Sequence, residues 1–293
     1  MSSEKSEVYA YLLVDNGLLQ ESSAKYTEPS ADSRPTWLEP IYEAKALEVS
    51  PLLIDIEAAY EGGSLDRMME LVNALKPAMH LSIIESALPL SELAQHLRRF
   101  IFIVAENGKQ YTLRYADCAV LVPLSSVLSP SQWTTLTEPL LRWSAHDRAN
   151  ALIQMPPPIM EQTGAPTPLH FTDDQFTTLN EALEPDHFLA QVKQLRAGIT
   201  FPGDACEQHA WASQAREAWR AAGNTNNLFL LSLTEAALLT RGEILRRRNL
   251  PSLLAIKELS SFRAKIRELA QEIEERRIRL LEMKTSSPET AQY

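Results

Sequence analysis

The chain has 293 residues, 45% hydrophobic and 23% charged, with a formal net charge of −10. This length and balance allow one large globular domain or two ordinary ones and exclude a disordered chain. An acidic chain repels phosphate backbones, which excludes nucleic acid as a general partner.

The charge is uneven. Residues 1–155 carry 12 of the 28 basic and 20 of the 38 acidic residues, a net of −8, and the remainder a net of −2. The first half therefore favours a basic partner surface, although solubility alone also selects acidic residues. The two cysteines, Cys118 and Cys206, stand far apart and outside any C-x-x-C, which fits a reducing compartment rather than a disulfide framework. Met1–Ser6 is polar, and no stretch approaches the roughly 18 apolar residues that span a bilayer. A cytoplasmic location without membrane association is expected.

Val8–Asp15 (VYAYLLVD) is an apolar run closed by Asn16-Gly17, a strand followed by a turn signal. Residues 20–36 read as a polar loop. Leu52–Ile56 reads as a buried strand. After Gly62-Gly63, Ser64 can cap a helix whose apolar face is Leu65, Met68, Met69, Val72 and Leu75. Met79–Ile84 is the next strand and Leu90–Arg99 the next helix. Phe100–Val104 and Gln110–Tyr115 flank Asn107-Gly108 and predict a hairpin. A helix is expected from near Asp117 through Val127. Strands interleaved with helices predict an α/β domain over residues 1–155, a mixed sheet with flanking helices.

Residues 156–168 contain five prolines and predict an extended linker. An all-α lobe is expected over 169–284. It opens with a capping box at Thr172–Gln175, and further helices are expected over Asp186–Arg196, Ala205–Ala222 and Asn227–Arg247. The terminal helix carries a seam of Ala255, Leu259, Phe262, Ile266, Leu269, Ile273, Leu280 and Met283, in alternating steps of four and three interrupted at Arg276. Glu272 with Arg276 and Glu275 with Arg279 are favourable i,i+4 pairs. Such a seam packs on its own lobe, on a partner or on a second copy. Residues 285–293 read as a disordered tail.

Searches for chemistry return nothing of motif grade. There is no G-x-S-x-G, H-E-x-x-H or Walker A sequence, and none of the six histidines pairs with another ligand at metal spacing. No cofactor and no metal are expected. Ser144, His146 and Asp147 are close in sequence, but neighbours on a strand point to opposite faces. Asp55 and Glu57 share a face if that strand stays extended, and a carboxylate pair can do acid/base work. Arg246-Arg247-Arg248 follows a helical segment, where cations complement the helix dipole or offer a patch to an acidic partner.

Tyr9–Asn16 (YAYLLVDN), Ser50–Glu57 (SPLLIDIE) and His96–Trp133 together resemble the effector chaperones, or adaptors, of bacterial type VI secretion. That family is defined by a domain long catalogued without known function. The resembling elements are Leu97-Arg98, the apolar strand Phe100–Val104, the turn Asn107-Gly108 and the segment Arg114-Tyr115-Ala116-Asp117. They cover about residues 8–148, and a helical second half is also usual in the family. One departure is Cys118-Ala119, where the family commonly has Pro-Arg. The resemblance implies a non-enzymatic adaptor that binds a secreted effector and helps load it onto the spike protein VgrG. Arg98, Arg114, Tyr115 and Asp117 are the candidate partner-binding or domain-organising residues, with an Arg98–Asp117 or Arg114–Asp117 ion pair expected between sheet and helices.

Two other readings stand beside it. One is an α/β enzyme with an unrecognised carboxylate site built from Asp55, Glu57, His80 and Asp117. The other is a scaffold that self-associates through Leu259, Phe262, Ile266, Leu269 and Ile273 of the terminal helix.

Overall fold

The computed structural model describes residues 8–27, 34–42, 44–158 and 167–285. The readings of the N-terminal leader, of the middle of the 20–36 loop, of most of the proline-rich linker and of the tail beyond Thr285 lie outside these residues. In chain order the elements are β1 (Tyr9–Asp15), β2 (Leu38–Pro40), β3 (Pro51–Asp55), α1 (Ile56–Glu61), α2 (Leu65–Asn73), β4 (Leu81–Ser86), α3 (Leu90–Arg98), β5 (Phe102–Ala105), β6 (Gln110–Thr112), α4 (Cys118–Val127), α5 (Pro130–Thr137), β7 (Leu140–His146), β8 (Leu152–Gln154) and β9 (Leu169–Phe171). They continue with α6 (Asp173–Leu195), α7 (Ala205–Ala221), α8 (Asn227–Leu239), α9 (Leu250–Leu254) and α10 (Leu259–Thr285). The chain divides into two compact units between Leu183 and Glu184, within α6.

The first unit is built on a sheet of order β2-β3-β1-β4-β7-β8 in which every neighbour is antiparallel. Side chains alternate along each strand, and here both faces are covered. Tyr11, Leu13, Leu53, Ile84 and Trp143 join a core with residues of α3, α4 and α5. Leu12, Val14, Leu52, Ile54 and Leu81 face a second core with Ala59 of α1 and Met68 and Leu71 of α2. Two buried faces are why β1 is apolar at every step from Tyr9 to Val14 rather than at alternate ones.

A smaller sheet has the order β6-β5-β9. Its β5–β6 hairpin turns at Gly108, whose φ of +76° suits glycine. β9 then pairs with β5 in parallel, Ile103 opposite Leu169. Leu169, Phe171 and Leu179 are buried in the first unit's core. This moves the division expected at residues 156–168: residues 169–183 belong to the α/β unit, because β9 fills an edge of its small sheet. The helical unit begins at Glu184.

Three local expectations also change. The strand before α1 stops at Asp55, whose carboxylate accepts from Ala58 N at 3.0 Å and caps α1. Asp55 and Glu57 therefore do not share a strand face. On α2 the buried residues are Met68 and Leu71, while Leu65 and Met69 are exposed; Leu75, exposed as well, lies beyond the end of the helix. The helix expected over 227–247 ends at Leu239. Gly242 takes a left-handed turn into a 3-10 turn over Glu243–Arg246, and Arg247 pairs with Glu243 at 3.6 Å.

The helical unit packs the C-terminal half of α6 with α7, α8, α9 and α10 around Trp211, Trp219, Phe229, Leu233 and Phe262. The rings of Trp219, Phe229 and Phe262 meet at centroid distances of 4.9–5.7 Å. Phe262, Ile266, Leu269 and Ile273 of the α10 seam are buried in this core, with Leu259 packed beside them. Further along, Leu280 and Met283 are exposed. Glu258 caps α10, accepting from Ser260 N, Ser260 Oγ and Ser261 N; these bonds hold its pKa down at about 2.

Candidate docking groove around Arg114

Strand β1 ends at Asp15. This residue is buried, and its Oδ1 accepts from Gly17 N at 3.0 Å and Leu18 N at 3.3 Å, capping a 3-10 turn. The fully buried Asn16 side chain ties the next loops together. Its Oδ1 accepts from Tyr26 N at 2.9 Å, and its Nδ2 donates to Tyr26 O at 3.0 Å and toward Glu48 O at 3.4 Å. The Asn16-Gly17 turn signal is thus an anchor for the chain around residues 26 and 48.

Arg114, two residues after β6, reaches the same place. Its Nη2 donates to Asp15 Oδ2 at 2.8 Å and lies 3.8 Å from Asp117 Oδ2. Burial alone would lower the Arg114 pKa, and the Asp15 carboxylate reverses this and raises it. Asp117 also caps α4 through Ala119 N at 2.9 Å. Sheet and helix are therefore joined through one guanidinium, with Asp15 the nearer carboxylate. Sequence reasoning named Arg114 and Asp117 and missed Asp15, which stands 99 residues from Arg114.

Arg98 and Tyr115 lie elsewhere. Arg98 Nη2 donates to Pro40 O at 2.8 Å and Glu39 Oε2 at 3.1 Å, holding α3 to β2 rather than meeting Asp117. Tyr115 is fully buried and its hydroxyl donates to Leu97 O at 2.9 Å. No partner can touch it in this state, so it organises the core.

Beside Arg114 opens a groove of about 640 Å³. Gly17, Tyr42, Val49, Ile101, Phe102 and Thr112 are among its lining residues. Phe102 and Val49 are about half exposed, although both are apolar. Among the described residues, the titratable groups on the lining are Tyr42 and Arg114. Burial, with Asp15 nearby, raises the Tyr42 pKa. Both groups keep their protons at neutral pH, so neither serves as a general base there. The groove can take apolar side chains while Arg114 offers its free N–H groups to a carbonyl or carboxylate.

The carboxylate reading finds no shared cleft here: none of Asp55, Glu57, His80 and Asp117 lines this groove. His80 is fully buried, its Nε2 donating to Leu71 O at 2.6 Å. Ser144 and His146 lie on β7, where His146 Nδ1 donates to Leu81 O at 3.0 Å, and Asp147 accepts from Ala149 N and Ala151 N in the next turn. Among the described residues, no three His, Cys, Asp or Glu side chains gather to hold a metal ion, and no helix is long and apolar enough to cross a membrane.

Fold and groove together define a two-unit protein whose α/β unit presents an apolar groove with a charged edge. Residues 10–135 match the model of a family described as Domain of unknown function (DUF4123). Every residue lining the groove falls inside that match. No curated protein matches the chain, and no solved structure does.

Proposed function

We propose that this protein is a non-enzymatic cytoplasmic adaptor that binds a type VI secretion effector and helps load it onto the VgrG spike. The observation that carries the reading is the coincidence of three things in one segment. The family-model match, the resemblance to effector chaperones and the groove all fall in the first unit. An open apolar surface with no general base among its described lining residues suits holding a partner better than transforming a substrate.

The test is co-expression of the full chain with the effector and spike encoded beside its gene, followed by affinity capture. Both partners are expected to be retained. Phe102→Glu places a charge in the groove at an exposed position, so the fold survives and capture of one partner falls about tenfold or more. Retention of neither partner by the unaltered chain defeats the adaptor reading. Full retention by the variant moves the contact away from the groove.

A further inference from the structure

The helical unit carries a groove of its own, about 330 Å³ in volume. Val192 of α6, Ala236 of α8 and Ile266 of α10 form its buried floor. Leu195 and Leu239 stand at its sides, exposed although apolar. This is room for a few apolar side chains, fed from a segment lying across the mouth.

The rim is charged in one sense. Arg196 is cancelled by Glu235, its Nε donating to Glu235 Oε1 at 2.6 Å. Arg263 and Arg267 are different. They sit one turn apart on α10, both exposed, and neither has a carboxylate partner among the described residues. The Arg263 Nε donates to Ser232 Oγ at 3.2 Å, which fixes its stem at the groove edge without neutralising it. In a chain of net charge −10, two uncompensated guanidiniums beside an apolar floor form a local exception. Their spacing of about 6 Å along the helix axis equals that of two carboxylates one turn apart on a facing helix.

We propose that this groove docks an acidic amphipathic helix of a partner protein. Its apolar residues would enter over Val192, Ala236 and Ile266, and its carboxylates would meet Arg263 and Arg267. Helix α2 of a second copy is a poorer fit. It exposes Leu65 and Met69, but Glu70 is already held by Arg67 at 2.9 Å, leaving Asp66 to face two arginines. The proposal deepens the adaptor reading by giving the helical unit a partner chemistry opposite to that favoured by the acidic first half. Its test uses neither effector nor spike, so either idea can fail alone.

Full-length protein is titrated into a fluorescein-labelled helical peptide bearing leucines at i, i+4 and i+7 and glutamates along one flank. A second peptide replaces each glutamate with lysine. Anisotropy is read at ~50 and ~200 mM salt. The acidic peptide is expected to bind, more weakly at the higher salt, and the lysine peptide to bind far less. The double variant Arg263→Glu, Arg267→Glu should weaken acidic-peptide binding by about tenfold or more and favour the lysine peptide. Both positions are exposed, so its thermal unfolding should match the unaltered chain. Leu195→Glu should weaken both peptides. The proposal is overturned if neither peptide binds, if both bind equally, or if the charge reversal leaves acidic-peptide binding unchanged. A concentration-dependent mass in sedimentation that the same reversal abolishes also overturns it, because the groove would then belong to a second copy.

Discussion

Arg114 is half exposed, and the carboxylate it serves is buried. Replacing it with methionine leaves Asp15 with its two backbone donors and without a countercharge. The expected loss is about 2 kcal/mol, below the 3–5 kcal/mol typical of fully buried pairs, because one partner already sees water. Urea unfolding of Arg114→Met against the unaltered chain measures it. Cys118 shows how a residue can be named from sequence without its reason. Its N–H donates to Met79 O at 2.9 Å, which a proline in that place could not do, and its thiol donates to Leu81 O. Burial pushes that thiol up to about 12, whereas Cys206 is exposed. One thiol should therefore react quickly with a maleimide in the native protein and two after unfolding. His80 and His96 add a pH dependence. Burial lowers both pKa values, so the unfolded chain binds protons first as pH falls. Their contribution to stability is present above the ordinary histidine pKa of about 6.5 and is lost on acidification below it. Urea midpoints between pH 8 and 5.5 should fall toward acid, with a shallower fall in His80→Gln. A flat profile in the unaltered chain would sink this account.

At the scale of elements, what was legible in the sequence was what depends on neighbours along the chain. The box at Thr172 and Gln175 forms with both bonds, at 3.1 and 3.2 Å, and Asp117 caps α4 where the pattern places it. Long-range pairing was not legible. β9 is three residues long and is fixed by β5, more than 60 positions earlier, so no local period marks it. The α2 face is only half legible because Met68, Met69, Leu71 and Val72 allow two overlapping helical stripes: Met68 and Val72 pack on the core, while packing turns Met69 outward and Leu71 inward. The position of Trp211 was equally hidden. Gly203 and Gly242 both have φ near +75°, and a Cβ on either would fall within 2.7 Å of the indole. Gly223 has a similar φ and open space around it. Gly223→Ala should cost about 1 kcal/mol from backbone strain alone. Gly242→Ala should cost a further 1–3 kcal/mol, roughly, because the indole must move. Thermal unfolding of the two variants separates the contributions, and equal losses would remove Trp211 from the explanation.

For the whole molecule, an α/β unit followed by helices was readable from the change in periodicity and from the prolines after Met155. The place of division was not, since proline marks where a chain extends rather than where it stops packing. Leu169, Phe171 and Leu179 lie beyond the prolines and inside the first core. Burying each contributes about 1.5–3 kcal/mol, and together they rival the net stability of an ordinary domain. A fragment of residues 1–158 should therefore unfold without a cooperative transition, whereas 1–195 should melt cooperatively in calorimetry. Cooperative melting of the shorter fragment would restore a boundary at the prolines.

The return of the chain into the small sheet has one more consequence. Before the proline-rich segment, Met155 N donates to Trp143 O at 2.8 Å and Trp133 Nε1 donates to Pro156 O at 3.0 Å. After it, β9 is clamped beside β5, and Gln132 Nε2 donates to His170 O at 2.6 Å. Both flanks are thus stitched into the same core. Severing the peptide backbone between Pro158 and Thr167 would yield two polypeptides that still co-elute as one particle. The cut would be silent in gel filtration and visible only under denaturing conditions, which makes this segment a natural place to divide the gene and express the protein as two complementing halves.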